Sequence, residues 1–219
     1  MRRRTKRIAL ITGASSGLGA EFARQIDQSE ERIDEIWLLA RREDRLKEVA
    51  QTLKKASRLI PMDLTLEENL EALELMLAAE NVRVGLLINC AGFGKIGSYS
   101  DVDRHQAARM IDLNCKAAVA VSQLALDFMG GGDRILEIVS ASVFLPLPGL
   151  NVYAASKAFL YAYARALRKE LEPRHIAVTA VCPYWIKDTE FIDGAKSTES
   201  PDSDLVIRSF PMSSRARKV

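Results

Sequence analysis

Tyr153 and Lys157 stand four residues apart in Tyr153-Ala154-Ala155-Ser156-Lys157. On a helix that spacing puts both side chains on one face. A phenol titrates near pH ~10 and is a poor proton donor or acceptor at neutrality. An ammonium fixed beside it favours the phenolate, lowers that pKa and brings the phenol into range for acid/base work. Ordinary helix faces also carry a Tyr and a Lys at this spacing, so the pair gains meaning only from a second motif far upstream. There, Gly13-Ala14-Ser15-Ser16-Gly17-Leu18-Gly19 follows an apolar run at residues 8–11 and precedes a helical pattern at 20–26. Glycines let a backbone approach a pyrophosphate closely, and a helix N-terminus offers free N–H groups and a positive dipole end. Gly13, Ser15, Ser16, Gly17, Leu18 and Gly19 are therefore candidate phosphate-binding residues. Their Gly-x-x-x-Gly-x-Gly spacing differs from the commoner Gly-x-Gly-x-x-Gly fingerprint.

The elements that must position these groups alternate regularly. Strand patterns fall at residues 8–11, 33–40, 58–63, 84–89, 134–139 and 176–181. Helical patterns fall at 20–28, 45–55, 67–80, 102–128 (one helix or two) and 152–172, the last bearing Tyr153. Such alternation predicts an α/β fold, a doubly wound parallel sheet with helices on both faces. No repeat, low-complexity tract or linker interrupts it, so residues 1–219 read as one domain.

Together these motifs resemble the short-chain dehydrogenase/reductase family, which joins a Thr-Gly-x-x-x-Gly-x-Gly turn to a Ser and Tyr-x-x-x-Lys site past the middle of the chain. The resemblance covers about residues 6–191. It implies a Rossmann-like domain and an NAD(P)-dependent oxidoreductase that moves a hydride between cofactor and a ketone or secondary alcohol. By the resemblance the catalytic tetrad falls on Asn114, Ser140, Tyr153 and Lys157. Tyr153 exchanges a proton with the carbonyl oxygen. Lys157 lowers its pKa and binds the nicotinamide ribose, and Ser140 orients the carbonyl. Asn114 bends its helix and holds a water linked to Lys157. Ser140 is preferred to Ser142 because its separation from Tyr153 matches the family frame, and Ser142 is left to line the pocket. Asp63 and Leu64 correspond to an adenine-contacting pair. Asn89-Cys90-Ala91-Gly92 corresponds to Asn-Asn-Ala-Gly, with Asn89, Ala91 and Gly92 near the cofactor and Cys90 as packing. Pro183 and Ile186 fall in the segment that meets the nicotinamide, while the contacts of Thr189 are not fixed by its shifted spacing. NAD-preferring sites end the second strand in a carboxylate. Ala40 stands there instead and Arg41 follows, able to grip a 2′-phosphate through a charge-assisted fork. NADP(H) is therefore favoured over NAD(H), and Arg42 is assigned to the start of a solvated helix with Glu43 and Asp44.

Phe93, Val143, Phe144, Leu145 and the segment after Thr189 are expected to line an apolar pocket suited to a small-molecule carbonyl or alcohol. Residues 191–210, rich in Ser and Asp, read as a mobile lid. A net charge of +2 gives no case for nucleic acid. Three cysteines without short paired spacing and only two histidines argue against disulfides and a metal site. No stretch approaches transmembrane length, and the basic lead-in at residues 2–7 is followed by too short an apolar run for a secretory signal. The expected compartment is the cytoplasm. The chain stops where the family continues with a further helix, its start expected at 212–219, and a last sheet strand. A sheet lacking that strand is therefore expected, with a homo-oligomer (dimer or tetramer) if the C-terminus is complete. The rival readings are a nonenzymatic NADP-binding regulatory or structural protein, which the full tetrad argues against, and an inactive truncated relative.

Overall fold

Strand β1 (Lys6–Thr12) shows why the sheet forms. Ile8 and Leu10 enter one core while Ala9 and Ile11 enter another, so alternate side chains bury on opposite faces. A strand apolar on both faces is stable only with helices covering each side. The computed structural model describes residues 4–145, 147–196 and Ala216. From β1 the chain runs through α1 (Gly17–Ser29), β2 (Glu35–Ala40), α2 (Glu43–Ala50) and β3 (Ala56–Pro61). It then crosses through α3 (Glu67–Ala79) to β4 (Val82–Asn89) on the other side of β1. Helix α4 (Arg104–Ile111), a π-helical turn (Asp112–Ala117) and α5 (Ala118–Leu126) follow in one run. After these come β5 (Arg134–Ile138), α6 (Asn151–Glu170), β6 (Ala177–Val181) and the short α7 (Phe191–Ala195).

The strand order is β3-β2-β1-β4-β5-β6, with every pair parallel. The winding reverses between β1 and β4. Loops leaving the carboxyl ends of these two strands diverge and open a crevice, the usual ligand position in such sheets. Register brings the ends level: Thr12 lies beside Leu39 and Asn89, and Asn89 beside Glu137. Helices α1 and α2 cover the Ala9 and Ile11 face through Ala20, Ala23, Ile26, Leu46 and Val49. Leu70, Leu73 and Leu77 of α3, Val121 and Ala125 of α5, and Ala164 and Leu167 of α6 cover the other. Along α6 the buried residues Tyr153, Lys157, Leu160, Ala164 and Leu167 recur every three or four positions, one stripe facing the sheet.

The expected fold is thus present, with a second strand that begins at Glu35 rather than at residue 33. Among the described residues the sheet has six strands and no seventh, leaving β6 at an edge. Of the expected lid, residues 191–195 form α7, while 197–210 lie outside the described residues. The helix start expected at 212–219 also lies outside them except for Ala216, whose N–H donates to the Asp188 carboxylate at 2.8 Å. At the opposite end of the sheet the Asp133 carboxylate, wholly buried, pairs with both Arg7 and Arg83, the latter through Nε at 2.7 Å. No described helix is long and apolar enough to cross a membrane. No cluster of three metal-ligating side chains occurs among the described residues.

Candidate active site

A cavity of about 610 Å³ opens at the carboxyl ends of the strands. Its first wall is the turn from β1 into α1. The Thr12 hydroxyl accepts the N–H groups of Cys90 and Ala91, both at 3.0 Å, and so ties this turn to the loop after β4. The contact is so close that a Cβ on Gly13 would sit 2.8 Å from the Ala91 backbone, and Gly13 has φ +67°. Only glycine meets both conditions without strain. Ser16, the N-cap of α1, makes no side-chain capping bond, so the first-turn N–H groups receive nothing from it. Such groups together with the dipole suit an anion. Gly13, Ser15, Ser16, Gly17 and Leu18 line the cavity. Gly19 does not. A Cβ there would lie 2.4 Å from the Gly13 carbonyl oxygen, so Gly19 serves the packing of α1 against the turn.

Arg41, Asp63 and Leu64 line the far end of this half. The Asp63 carboxylate accepts the backbone N–H and hydroxyl of Thr65 at 3.0 and 2.7 Å and lies 3.9 Å from Arg41. Burial pushes its pKa up, but the Thr65 bonds and Arg41 outweigh that and leave it below the ordinary value. Arg42 stands at the solvated start of α2 as expected and is half exposed, but its guanidinium also donates to Ser16 Oγ at 3.1 Å, to Ser15 Oγ at 3.4 Å and to Glu190 at 3.1 Å, so it reaches over the glycine turn as well.

Asn89 turns away from the cavity, whereas Cys90 packs against the core as expected and also lines the cavity. Asn89 shares the inward face of β4 with Leu87, and its side-chain amide donates to Ala118 O, Ser122 Oγ and Glu137 Oε1 beneath α5. It does not line the cavity, whereas Cys90, Ala91 and Gly92 do. Burial pushes the Cys90 thiol up to about 12, so it stays neutral. Pro183, Ile186 and Thr189 line the cavity from the loop after β6, and the Thr189 hydroxyl donates to Ile186 O at 3.3 Å.

Tyr153, Lys157 and Ser140 converge on the remaining wall. The Ser140 hydroxyl hydrogen-bonds the phenol in the sense that favours phenolate, and also accepts the Ser142 N–H at 3.2 Å. The Tyr153 ring packs against Phe191 with centroids 5.4 Å apart. Lys157 donates to Ile138 O at 2.7 Å. The expected lowering of the phenol is not what the protein alone produces. Burial dominates and pushes Tyr153 up to about 12. Burial also pushes Lys157 down from its ordinary value, opposed by Cys90, Glu137 and Cys115.

Asn114 lies in the π-helical turn between α4 and α5. Its amide does not line the cavity. It accepts the Phe93 N–H at 3.0 Å and donates to Phe93 O at 2.9 Å and to Ser156 Oγ at 3.0 Å, which bolts the loop after β4 to α6. Phe93, Leu145 and Ser142 line the pocket, joined by Leu147, Leu150, Trp185 and Ile192. Val143 and Phe144 do not. Val143 packs with Leu160 and Val139, and Phe144 meets Tyr161 edge-on outside the cavity. Sequence reading missed the carboxylate of Glu137 behind this wall. Its signal was a carboxylate flanked by apolar residues inside a buried strand.

Against known proteins, the model of the short chain dehydrogenase family matches residues 7–200. An uncharacterized oxidoreductase of Staphylococcus epidermidis is 30% identical over 191 residues, covering 86% of this chain and 81% of that protein. Sulfoacetaldehyde reductase 2 of Chromohalobacter salexigens is 33% identical over 210 residues, covering 92% of this chain and 81% of that protein. Among solved structures, a short-chain dehydrogenase from Sphingobium yanoikuyae in complex with NADPH superposes with a TM-score of 0.80 at 28% identity, covering 97% of this chain and 80% of that one.

Proposed function

The chain belongs to the short-chain dehydrogenase/reductase family, and from that premise we propose that it is an NADP-dependent oxidoreductase interconverting a hydrophobic ketone and its secondary alcohol. The observation that carries this reading is the convergence of Tyr153, Ser140 and Lys157 on the same cavity as the glycine turn. The cavity fits a nicotinamide dinucleotide. Its turn is bare of a Cβ at Gly13, where one would collide with Ala91, and Arg42 stands over it. When bound, that cofactor supplies or accepts the hydride.

The chain's own residues would do the rest. Tyr153, held protonated through the neutral range by burial, gives its proton to the carbonyl oxygen during reduction and takes one back during oxidation. Ser140 hydrogen-bonds the same oxygen and steadies charge as it develops. Lys157, one helical turn further along α6 and anchored on Ile138 O, would lend a positive charge to favour the phenolate left after transfer. Phe191 and Trp185 keep water from the reacting atoms. The apolar outer wall of Phe93, Leu145, Leu147, Leu150 and Ile192 favours an apolar substituent on the carbonyl.

A panel of ketones and alcohols assayed with NADPH and NADP tests the reading. Tyr153→Phe is expected to lower kcat by roughly 10²- to 10⁴-fold, while the Kd for NADPH, followed by fluorescence, changes little. Near-normal turnover by that variant would reject the assignment. Tight NADPH binding with no turnover across the panel would return the nonenzymatic reading to first place.

A further inference from the structure

Behind the candidate reaction centre lies a buried polar cluster that the mechanism above does not use. Glu137 sits on β5 and is wholly buried. Strand alternation turns it to the Ile135 face, under α5 and α6. Its Oε1 accepts from Ser122 Oγ of α5 at 2.7 Å and from Asn89 Nδ2 of β4 at 3.0 Å. Its Oε2 has no hydrogen-bond partner. A buried carboxylate is costly unless paired or bonded. A nearby opposite charge would offset part of that cost, and Lys157 acts on Glu137 in that sense.

Glu137 directly precedes Ile138, whose carbonyl receives the Lys157 ammonium. Lys157 is itself almost wholly buried, its ammonium anchored on that carbonyl. The groups that act on it are the Cys90 and Cys115 thiols and Glu137, so Glu137 is the one carboxylate among them. Both thiols are pushed up by burial and stay neutral near pH 7. Facing Glu137 are Lys157 and Tyr163 from α6, Ser122 from α5 and Asn89 from β4. Of these, only Lys157 carries a charge opposite to a carboxylate.

We propose that Glu137 is a positioning residue of the reaction centre, the buried counter-charge that keeps Lys157 an ammonium beside Tyr153. The inference rests on the proposed role of Lys157, but the coupling itself can be read without turnover. Burial works against the charged form of both groups, pushing Glu137 up to about 7 and Lys157 down. Each charge therefore supports the other. As pH rises and Glu137 ionises, its carboxylate holds the lysine proton to higher pH.

The test replaces the carboxylate with its neutral isostere. In Glu137→Gln the side-chain oxygen can still accept from Asn89 and Ser122, folding is checked by thermal melting, and Glu137→Asp retains the charge as a second variant. The titration of Lys157 is followed by NMR of labelled lysine, assigned through Lys157→Met. The Lys157 midpoint is expected to fall by about a pH unit in Glu137→Gln, a tenfold change in proton affinity, and to recover toward the wild-type value in Glu137→Asp. The alkaline limb of kcat/KM should move in parallel. An unchanged or raised midpoint in Glu137→Gln overturns the proposal, whatever happens to activity. A lowered midpoint in a chain that reduces no carbonyl supports the coupling and sinks the proposed reaction instead.

Discussion

On the function proposed here, Arg42 is the residue expected to discriminate between the two cofactors. It stands at the N-cap of α2 with extended backbone, which swings its side chain back over Ser15 and Ser16. Arg41, one residue earlier, points along the cavity rim toward Asp63 and is mostly exposed. A 2′-phosphate gripped by Arg42 would gain a charge-assisted bond worth about 1.5–3 kcal/mol, against the competing Glu190 carboxylate at 3.1 Å. Arg42→Ala is therefore expected to raise the Kd for NADPH by roughly 10- to 100-fold while leaving that for NADH within about threefold. Equal weakening of both cofactors, measured by fluorescence titration, would remove Arg42 from the choice. Residue type and spacing made the Tyr153 and Lys157 pair and the missing carboxylate at Ala40 legible in the sequence. Which of two adjacent arginines reaches the turn depends on one backbone dihedral at the helix start, and spacing carries no trace of that. The phenol's upward shift was hidden for a similar reason, since burial arises from distant segments such as Phe191 closing over Tyr153.

At the scale of elements, the glycine turn and the loop after β4 act as one piece. Thr12 bonds two successive N–H groups of that loop, and Gly13 presses on the Ala91 backbone. A side chain at Gly13 meets two penalties at once, a left-handed φ and backbone contact at 2.8 Å that cannot rotate away. Gly132 isolates the first penalty, because it has φ +86° and open space where a Cβ would lie. Gly132→Ala is expected to cost about 1–2 kcal/mol and leave NADPH binding intact. Gly13→Ala is expected to lower the melting temperature further and weaken NADPH binding at least tenfold, because the loop must move off the turn. Equal effects of the two substitutions in melting and binding would show that the close approach carries no weight. The strands were legible because apolar residues are continuous at 8–11 and dominate 84–88 and 176–181, broken only by Gly85 and Thr179, and the helices because their buried positions recur every three or four. The inward turn of Asn89 was legible too, had alternation been carried to the strand end: Leu87 and Asn89 must share a face. What sequence could not give is the polar cluster of Asn89, Ser122 and Glu137, whose members come from three elements brought together only by the sheet order.

The whole molecule separates its duties along the strand axis. Carboxyl ends carry the cavity, and amino ends carry the buried ion cluster in which Asp133 joins Arg7 of β1 to Arg83 of β4. The same carboxylate accepts the Gly130 N–H at 2.8 Å, while Arg7 and Arg83 also bond the carbonyls of Gly132 and Gly131. Removing one charge from a buried cluster leaves its partners uncompensated, a loss of about 3–5 kcal/mol where burial is complete. Both arginines keep contact with solvent, which screens part of that cost. Asp133→Asn is thus expected to destabilise the chain by about 2–3 kcal/mol, lowering the melting temperature by about 5–10 °C for a domain of this size. The Kd for NADPH should stay within about twofold, because nothing in the ion cluster touches the cavity wall. Calorimetry paired with fluorescence titration checks both halves. A variant that melts normally but binds poorly would mean that the two ends of the sheet are coupled. In that event, the rigid separation of stability from function along the strands would not describe this chain.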